Sequence, residues 1–240
     1  MENKSYTDVM RSKSAAFTRS LAAACGSAEN FRAERHPSLP NYIAMTSGST
    51  HGIADDKGPS SHPLKRPSIF SQLGRDWRAL QESMPSPCRR SNFLLYAVRH
   101  NPPTYYTRLA RSCQKQDVRL DETTDISARF TFITPNLCHD THNCGIGSGD
   151  HFLSKLMTDI AGSAEYRAGK TAVFITYDED DGSSGNHIPT VVVAPHVAKG
   201  RRSATRFDHF SLLRTTQEIL GLRKLAAAAR ARSMRSAFGL

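Results

Sequence analysis

The chain has 240 residues, 38% of them hydrophobic, with 32 Lys and Arg against 22 Asp and Glu and a formal net charge of +10. That length suits one large α/β domain or two small ones, and no apolar run is long enough to span a membrane. The basic residues are dispersed, without aromatic interleaving or a recognisable nucleic-acid motif, so the charge points to phosphate esters or anionic lipid as partners and not to nucleic acid.

In chain order, Val9, Met10, Phe17, Leu21 and Ala22 recur at helical spacing and predict a helix over 7–24, with Gly26 as its stop. A short extended segment over 30–35 leads into His36-Pro37-Ser38-Leu39-Pro40. That stretch is a rigid turn, because each proline fixes its own φ and restricts the residue before it. A helix over 41–46 ends near Gly48, and residues 49–67, rich in Gly, Pro, Ser and Asp, form a long surface loop. Residues 68–81 read as an amphipathic helix with Ile69, Leu73, Trp77 and Leu80 on one face. Residues 84–129 read as an irregular cap.

The second half is more regular. Strands are predicted over 129–134, 171–177 and 190–194, and helices over 150–160 and 210–220, the last closed by Gly221. TVVVA at 190–194 has no polar alternation and should be buried on both faces. Strands alternating with helices predict a mostly parallel sheet covered on both sides, a three-layer α/β/α sandwich. The Ala- and Arg-rich tail over 223–240 reads as a basic surface helix or a partly disordered end, outside a domain spanning 1–222.

Of the five cysteines, none forms a CxxC pair, which argues against a zinc ribbon or thioredoxin-like site. Cys138 and Cys144 bracket a short loop that a disulfide would pin, and Cys88 and Cys113 could form a second bridge, leaving Cys25 over. Two bridges imply an oxidising compartment; five free thiols would imply the opposite.

Three polar clusters follow extended segments: His36-Pro37-Ser38, Cys138-His139-Asp140-Thr141-His142-Asn143-Cys144, and Asp178-Glu179-Asp180-Asp181 after Thr171–Tyr177. Parallel strands bring their C-terminal ends to one sheet edge, where such folds place their sites. Clustered carboxylates repel and raise one another's pKa, and a hard divalent cation resolves that. Ser38 precedes a helix whose N-terminus favours a bound phosphate, and Asn41 lies in its first turn, placed to donate to a phosphoryl oxygen. A serine so placed can attack phosphorus.

PSLPNYIAMTSGSTHGI resembles the nucleophile segment of the alkaline phosphatase superfamily. YDEDDG followed by NHIP resembles the strand-end metal motif of its phosphoesterase family, which holds bacterial phospholipases C and acid phosphatases. ENKSY and FDHFSLLRTTQEILGL resemble that family's first metal motif and closing segment. The likeness is nearest to small secreted acid phosphatases of actinobacterial type, some of which act on phosphoinositides.

The resemblance implies hydrolysis of phosphoric monoesters, with a phospholipase C-type diesterase or a non-catalytic relic as alternatives. It makes Ser38 the nucleophile, Asn41 an oxyanion donor, and Glu2, Asn3, Asp178 and Glu179 ligands of a divalent metal whose identity and count stay open. Asp140 and His142 would hold a second metal or protonate the leaving group, and His187 would complete the second position. His209 is a further candidate that helix capping explains as well. Asp180 and Asp181 would orient the loop. Position 143, an acid in the family, is Asn here.

The resemblance also implies a secreted or cell-envelope location, an export signal and a buried strand directly before ENKS. The chain opens at Met1 without a signal peptide. The sheet is therefore expected to lack its first strand, and Glu2 to sit on a fraying end.

Overall fold

The computed structural model describes residues 1–120 and 124–240. The predicted first helix is split. Ser12 ends α1 (Tyr6–Arg11) and α2 (Ala16–Ala24) follows, its first N–H groups capped by the Asp150 carboxylate, which accepts from Phe17 and Thr18 at 2.9 and 2.8 Å. Gly26 is not a helix stop. It opens β1 (Gly26–Ala28), where a Cβ would lie 2.8 Å from the Phe238 ring.

After β2 (Phe31–Arg32), α3 (Ser38–Ser47) starts at Ser38, three residues earlier than expected. Gly48 closes it at φ +78°, a conformation that favours glycine. The predicted helix over 68–81 fails. Only α4 (Ile69–Leu73) is helical, Gly74 turns the chain at φ +65°, and Trp77–Gln81 is strand β3. Both Trp77 and Leu80 are buried in either reading, so the apolar pattern did not separate the two. Residues 84–129 are irregular as expected but are no cap. Their Tyr105, Tyr106 and Leu109 sit in the core with Phe70 and Trp77, where truncating one such aromatic to Ala costs about 3–5 kcal/mol. The segment also supplies α5 (Ala110–Gln116) and β4 (Asp117–Arg119); its residues 121–123 lie outside the described residues.

The second half follows expectation: β5 (Phe130–Thr134), α6 (Ile146–Gly162), α7 (Ala164–Arg167), β6 (Val173–Thr176), β7 (His187–Ile188), β8 (Thr190–Val193), β9 (Arg201–Ser203), β10 (Phe207–Asp208) and α8 (His209–Ile219). The fold is α/β/α. Val191 and Val193 of β8 pack with Ala22 of α2 and Leu153 and Met157 of α6, while Val192 packs on the other side with Leu212 of α8. Strand pairing is mixed. β3 lies between β4 and β5, parallel to both, whereas β8 runs antiparallel to β6 and β1. The basic tail is neither loose nor a surface helix. Met234 and Phe238, the latter in α9 (Arg235–Phe238), are buried beside Phe207.

Both anticipated disulfides, Cys88–Cys113 and Cys138–Cys144, are present, and Cys25 is free. No helix among the described residues is long and apolar enough to cross a membrane.

Candidate active site

Glu2 does not fray. The Met1 ammonium donates to the Thr176 carbonyl at 3.3 Å, and the Asp178 N–H donates to the Met1 carbonyl at 3.0 Å. On the other side, the Glu2 N–H donates to Asp140 O at 2.7 Å and Thr141 Oγ1 donates to Glu2 O at 2.7 Å. The chain start is thus held between the end of β6 and the loop after β5, and the Glu2 side chain is fully buried.

Around Glu2 the three clusters meet. Ser38, the first residue of α3, donates its Oγ–H toward Glu2 Oε2 at 3.0 Å, with Glu179 Oε1 at 3.4 Å. Tyr42, one turn along, donates to Glu2 Oε1. His100 completes the group. Its Nε2 lies 3.3 Å from Glu2 Oε2 and its Nδ1 3.4 Å from Asp140 Oδ2, with the ring stacked on Tyr42. Glu2, His100 and Asp140 offer three ligand atoms within 4.8 Å of one another.

The electrostatics are strained. Burial, then Glu2 and Glu179, push the Asp178 carboxyl far above its usual range. Burial, with Glu2 and Asp56, lifts Glu179 to about 8. Burial would raise Glu2 as well, but the adjacent His100 imidazolium outweighs it and holds Glu2 at about 2. For His100, burial opposes the charge, and Glu2 and Asp140 win to raise its pKa. One imidazolium among four buried carboxylates leaves acceptors over. Asp178 Oδ2 and Asn3 Oδ1 are buried and make no hydrogen bond, and Asp140 Oδ2 has only the 3.4 Å approach of His100 Nδ1. Glu2, His100 and Asp140 could hold a hard divalent cation, with Asp178 and Glu179 beside Glu2.

Several expected residues serve otherwise. Asn41 is fully buried, but its amide is committed. Oδ1 accepts from the Glu34 and Arg35 N–H groups, both at 3.0 Å, and Nδ2 donates to Arg35 O at 2.7 Å. With both its acceptor and donor spent on the turn that carries Ser38, it positions that turn and has no group left for an oxyanion. His142 is exposed at the rim, its Nδ1 beside Asn143 Oδ1; only its backbone N–H reaches Asp140.

His187 is outside the cluster, with Nε2 on the Glu29 carbonyl at 2.7 Å and its ring stacked on Tyr6. His209, fully buried, holds Tyr177 O at 3.1 Å, and burial depresses its pKa to about 4, so it stays neutral and structural. Asp180 supports the loop as expected, accepting from Gly182, Ser184 and Asn186 N–H groups at 2.7–2.9 Å. His36 bridges Glu179 and Asp180 at 2.8 and 3.1 Å. Asp181 is exposed and makes a local turn with Ser183.

The sequence reading missed His100 and Asp56. His100 stands before Asn101-Pro102-Pro103 in a segment without periodicity, so only a His at a proline turn marked it. Asp56, in the long loop, accepts the Leu39 N–H at 2.9 Å and fixes the first turn of α3.

Comparison with known proteins identifies the family. The chain is 30% identical over 239 residues to a phosphatidylinositol-3-phosphatase of Mycobacterium tuberculosis, covering 96% of this chain and 78% of that protein. It is 26% identical over 222 residues to an acid phosphatase of Aspergillus fumigatus, spanning 82% of this chain and about half, 48%, of that enzyme. The fold matches a solved alkaline phosphatase superfamily protein from Vibrio parahaemolyticus with a TM-score of 0.62 at 12% identity, over 95% of this chain and 68% of that one. Residues 3–223 match the family model as well, and the chain belongs to the Phosphoesterase family.

Proposed function

We propose that the chain is a divalent-metal-dependent phosphoric monoester hydrolase of acid phosphatase type, with Ser38 as nucleophile. The observation that carries this reading is Ser38 Oγ poised on Glu2 at the N-terminus of α3, amid buried carboxylates whose oxygens lack partners. Glu2, Asn3, Asp178, Glu179, Asp140 and His100 would hold the ion, which when bound would polarise the phosphoryl group and lower the pKa of the serine hydroxyl.

Ser38 Oγ forms the bond to phosphorus as the bond to the alcohol oxygen breaks; the serine proton, relayed along the existing hydrogen bond to Glu2, ends on the departing alcohol, leaving a phosphoserine. Its negative charge lies at the positive end of the ten-residue α3. Water then attacks phosphorus and returns Ser38 with its proton. Asn41 and Asp56 hold the turn so that Ser38 faces the cluster throughout.

A phosphoinositide or other anionic lipid is the substrate class we favour. The relative from Mycobacterium tuberculosis is named for such a substrate. Phe93, Leu94 and Leu95 are exposed, Leu94 by 84%, and Leu95 O accepts from Leu137 N–H at the start of the Asp140 loop. An apolar tip beside the site and a net charge of +10 suit an anionic membrane surface.

Turnover of p-nitrophenyl phosphate against a choline phosphodiester analogue, with and without EDTA, tests the reading. Monoester turnover lost in EDTA and restored by metal supports it; preference for the diester would favour a phospholipase C. Leu94→Asp should slow hydrolysis of phosphoinositide in vesicles about tenfold and leave p-nitrophenyl phosphate unchanged. Equal loss on both would remove the membrane argument.

A further inference from the structure

Arg99 brings to the edge of the cluster a charge that the mechanism above does not use. It precedes His100 in the chain, and its guanidinium turns toward the long loop over α3. Arg99 Nε stands 3.6 Å from Asp56 Oδ2, while Asp56 Oδ1 accepts the Leu39 N–H at 2.9 Å, next to Ser38. One carboxylate thus separates the guanidinium from the first turn of α3. The charge is also felt inside the cluster, where it opposes that on His100.

This guanidinium is aimed but not satisfied. The Arg99 side chain is only 17% exposed and its Nε is buried, yet none of its N–H groups makes a hydrogen bond among the described residues. At 3.6 Å, Asp56 fixes its direction by charge and lies beyond good hydrogen-bond reach. The neighbouring acid, Asp55, is already taken by His62 and Lys57. Arg90 adds a second cation to the same corner, since Asp55, Asp56, Arg90 and Arg99 all act on the Tyr105 phenol. A rigid fork of donors, mostly withdrawn from water and unbonded, costs stability until an anion takes it, and the fork matches phosphate bidentately.

Two anion positions therefore lie side by side. The first is at Ser38, on the N-terminus of α3. The second is at Arg99, one carboxylate further out. Asp56 stands between them, and its own charge keeps a phosphoryl group at Ser38 from sliding onto the guanidinium.

We propose that Arg99 is a specificity residue that binds a second phosphate on the same substrate molecule, beside the phosphoryl group at Ser38. The inference rests on the monoesterase reading above and narrows its substrate to a compound with two phosphates. A phosphoinositide qualifies, because its headgroup carries the diester phosphate to the lipid as well as the monoester. A free polyol bisphosphate offers the same chemistry.

Binding to the Ser38→Ala protein, measured by calorimetry with Mg2+ present, separates the two positions without turnover. The ligands are inositol-1,3-bisphosphate and inositol-3-phosphate. Adding Arg99→Met should weaken the bisphosphate about thirtyfold and the monophosphate less than about threefold. Arg99→Lys keeps the charge but not the fork. It should weaken the bisphosphate about fivefold, and it carries the test if Arg99→Met does not fold. With Ser38 restored, Arg99→Met should raise KM for the bisphosphate about thirtyfold relative to KM for p-nitrophenyl phosphate. Phosphatidylcholine vesicles carrying phosphatidylinositol-3-phosphate test the lipid source against the soluble one. Equal weakening of both soluble ligands would put Arg99 on the scissile phosphoryl group and overturn the proposal, as would no change in either. Loss on vesicles alone would assign Arg99 to the membrane surface and overturn it too. Discrimination in binding by a chain that hydrolyses no monoester would sink the catalytic reading and leave the second-phosphate position standing.

Discussion

Asp117 and the Glu2–Asp178 group are both carboxylates sealed from solvent, and each stands in a cluster of metal-ligand residue types. Around Asp117 the sulfurs of Cys88 and Cys113 are tied up in a disulfide, and a single carboxyl accepts from Asn101 Nδ2 at 2.8 Å. Burial lifts its pKa to about 8, so at neutral pH it keeps its proton and the charge disappears. In the second group the carboxylates differ: Glu2 stays ionised beside His100, while burial and like charge push Asp178 and Glu179 upward, so that without a cation those two keep their protons. Ser38 and Tyr42 donate to Glu2, His100 stands between Glu2 and Asp140, and several oxygens still have no partner. One buried acid is neutralised by protonation; several gathered around Glu2 either hold protons or share a cation. On the function proposed above, the first cluster is structural and the second chemical.

The sharpest break in this comparison is Ser38→Ala, which should lower p-nitrophenyl phosphate turnover at least about a thousandfold with Tm little changed. Activity that survived it would remove the nucleophile. Next in size, Asp178→Asn should cut turnover roughly a hundredfold and, because burial and Glu2 push the Asp178 carboxyl up so that ionising it costs stability, raise Tm in EDTA more at pH 8 than at pH 5. A fall in Tm in EDTA would show that Asp178 is not repelled there.

Asp117→Asn tests the other cluster. The folded state holds a proton that the unfolded chain releases between about pH 4 and pH 8, so Asp117 makes stability fall as pH rises through that window. The variant should gain several degrees of Tm at pH 8 and almost nothing at pH 4; parallel Tm–pH curves would refute the assignment. His187→Ala, the smallest effect, should leave turnover within about twofold, since its Nε2 is spent on Glu29 O. A loss above tenfold would return it to the site.

How far the site could be read beforehand depended on local motifs. Ser38 after two turn-fixing residues, and the acids after Thr171–Tyr177, announced themselves because a strand end and a proline turn are local events. Glu2, Asp140, Asp178 and Glu179 duly converge. His100 was invisible, since it reaches the site through a proline-rich segment with no period. Asn41 and His187 were misread for the reverse reason. Each lies within a recognisable motif, but hydrogen bonds to Arg35 O and Glu29 O, made across the fold, consume their polar groups. Trp77 shows the same limit in the fold, its burial satisfying a helix or a strand equally until Gly74 turned the chain.

The sequence by itself determined the α/β/α class and the acidic strand end, because apolar period and charge clustering act over a few residues, and it offered the two disulfides beside the alternative of free thiols. Only the tertiary structure decided which acids stay partnerless and that Asp117 escapes by protonation. Those outcomes depend on what lies within a few ångströms in space, which separation along the chain does not encode.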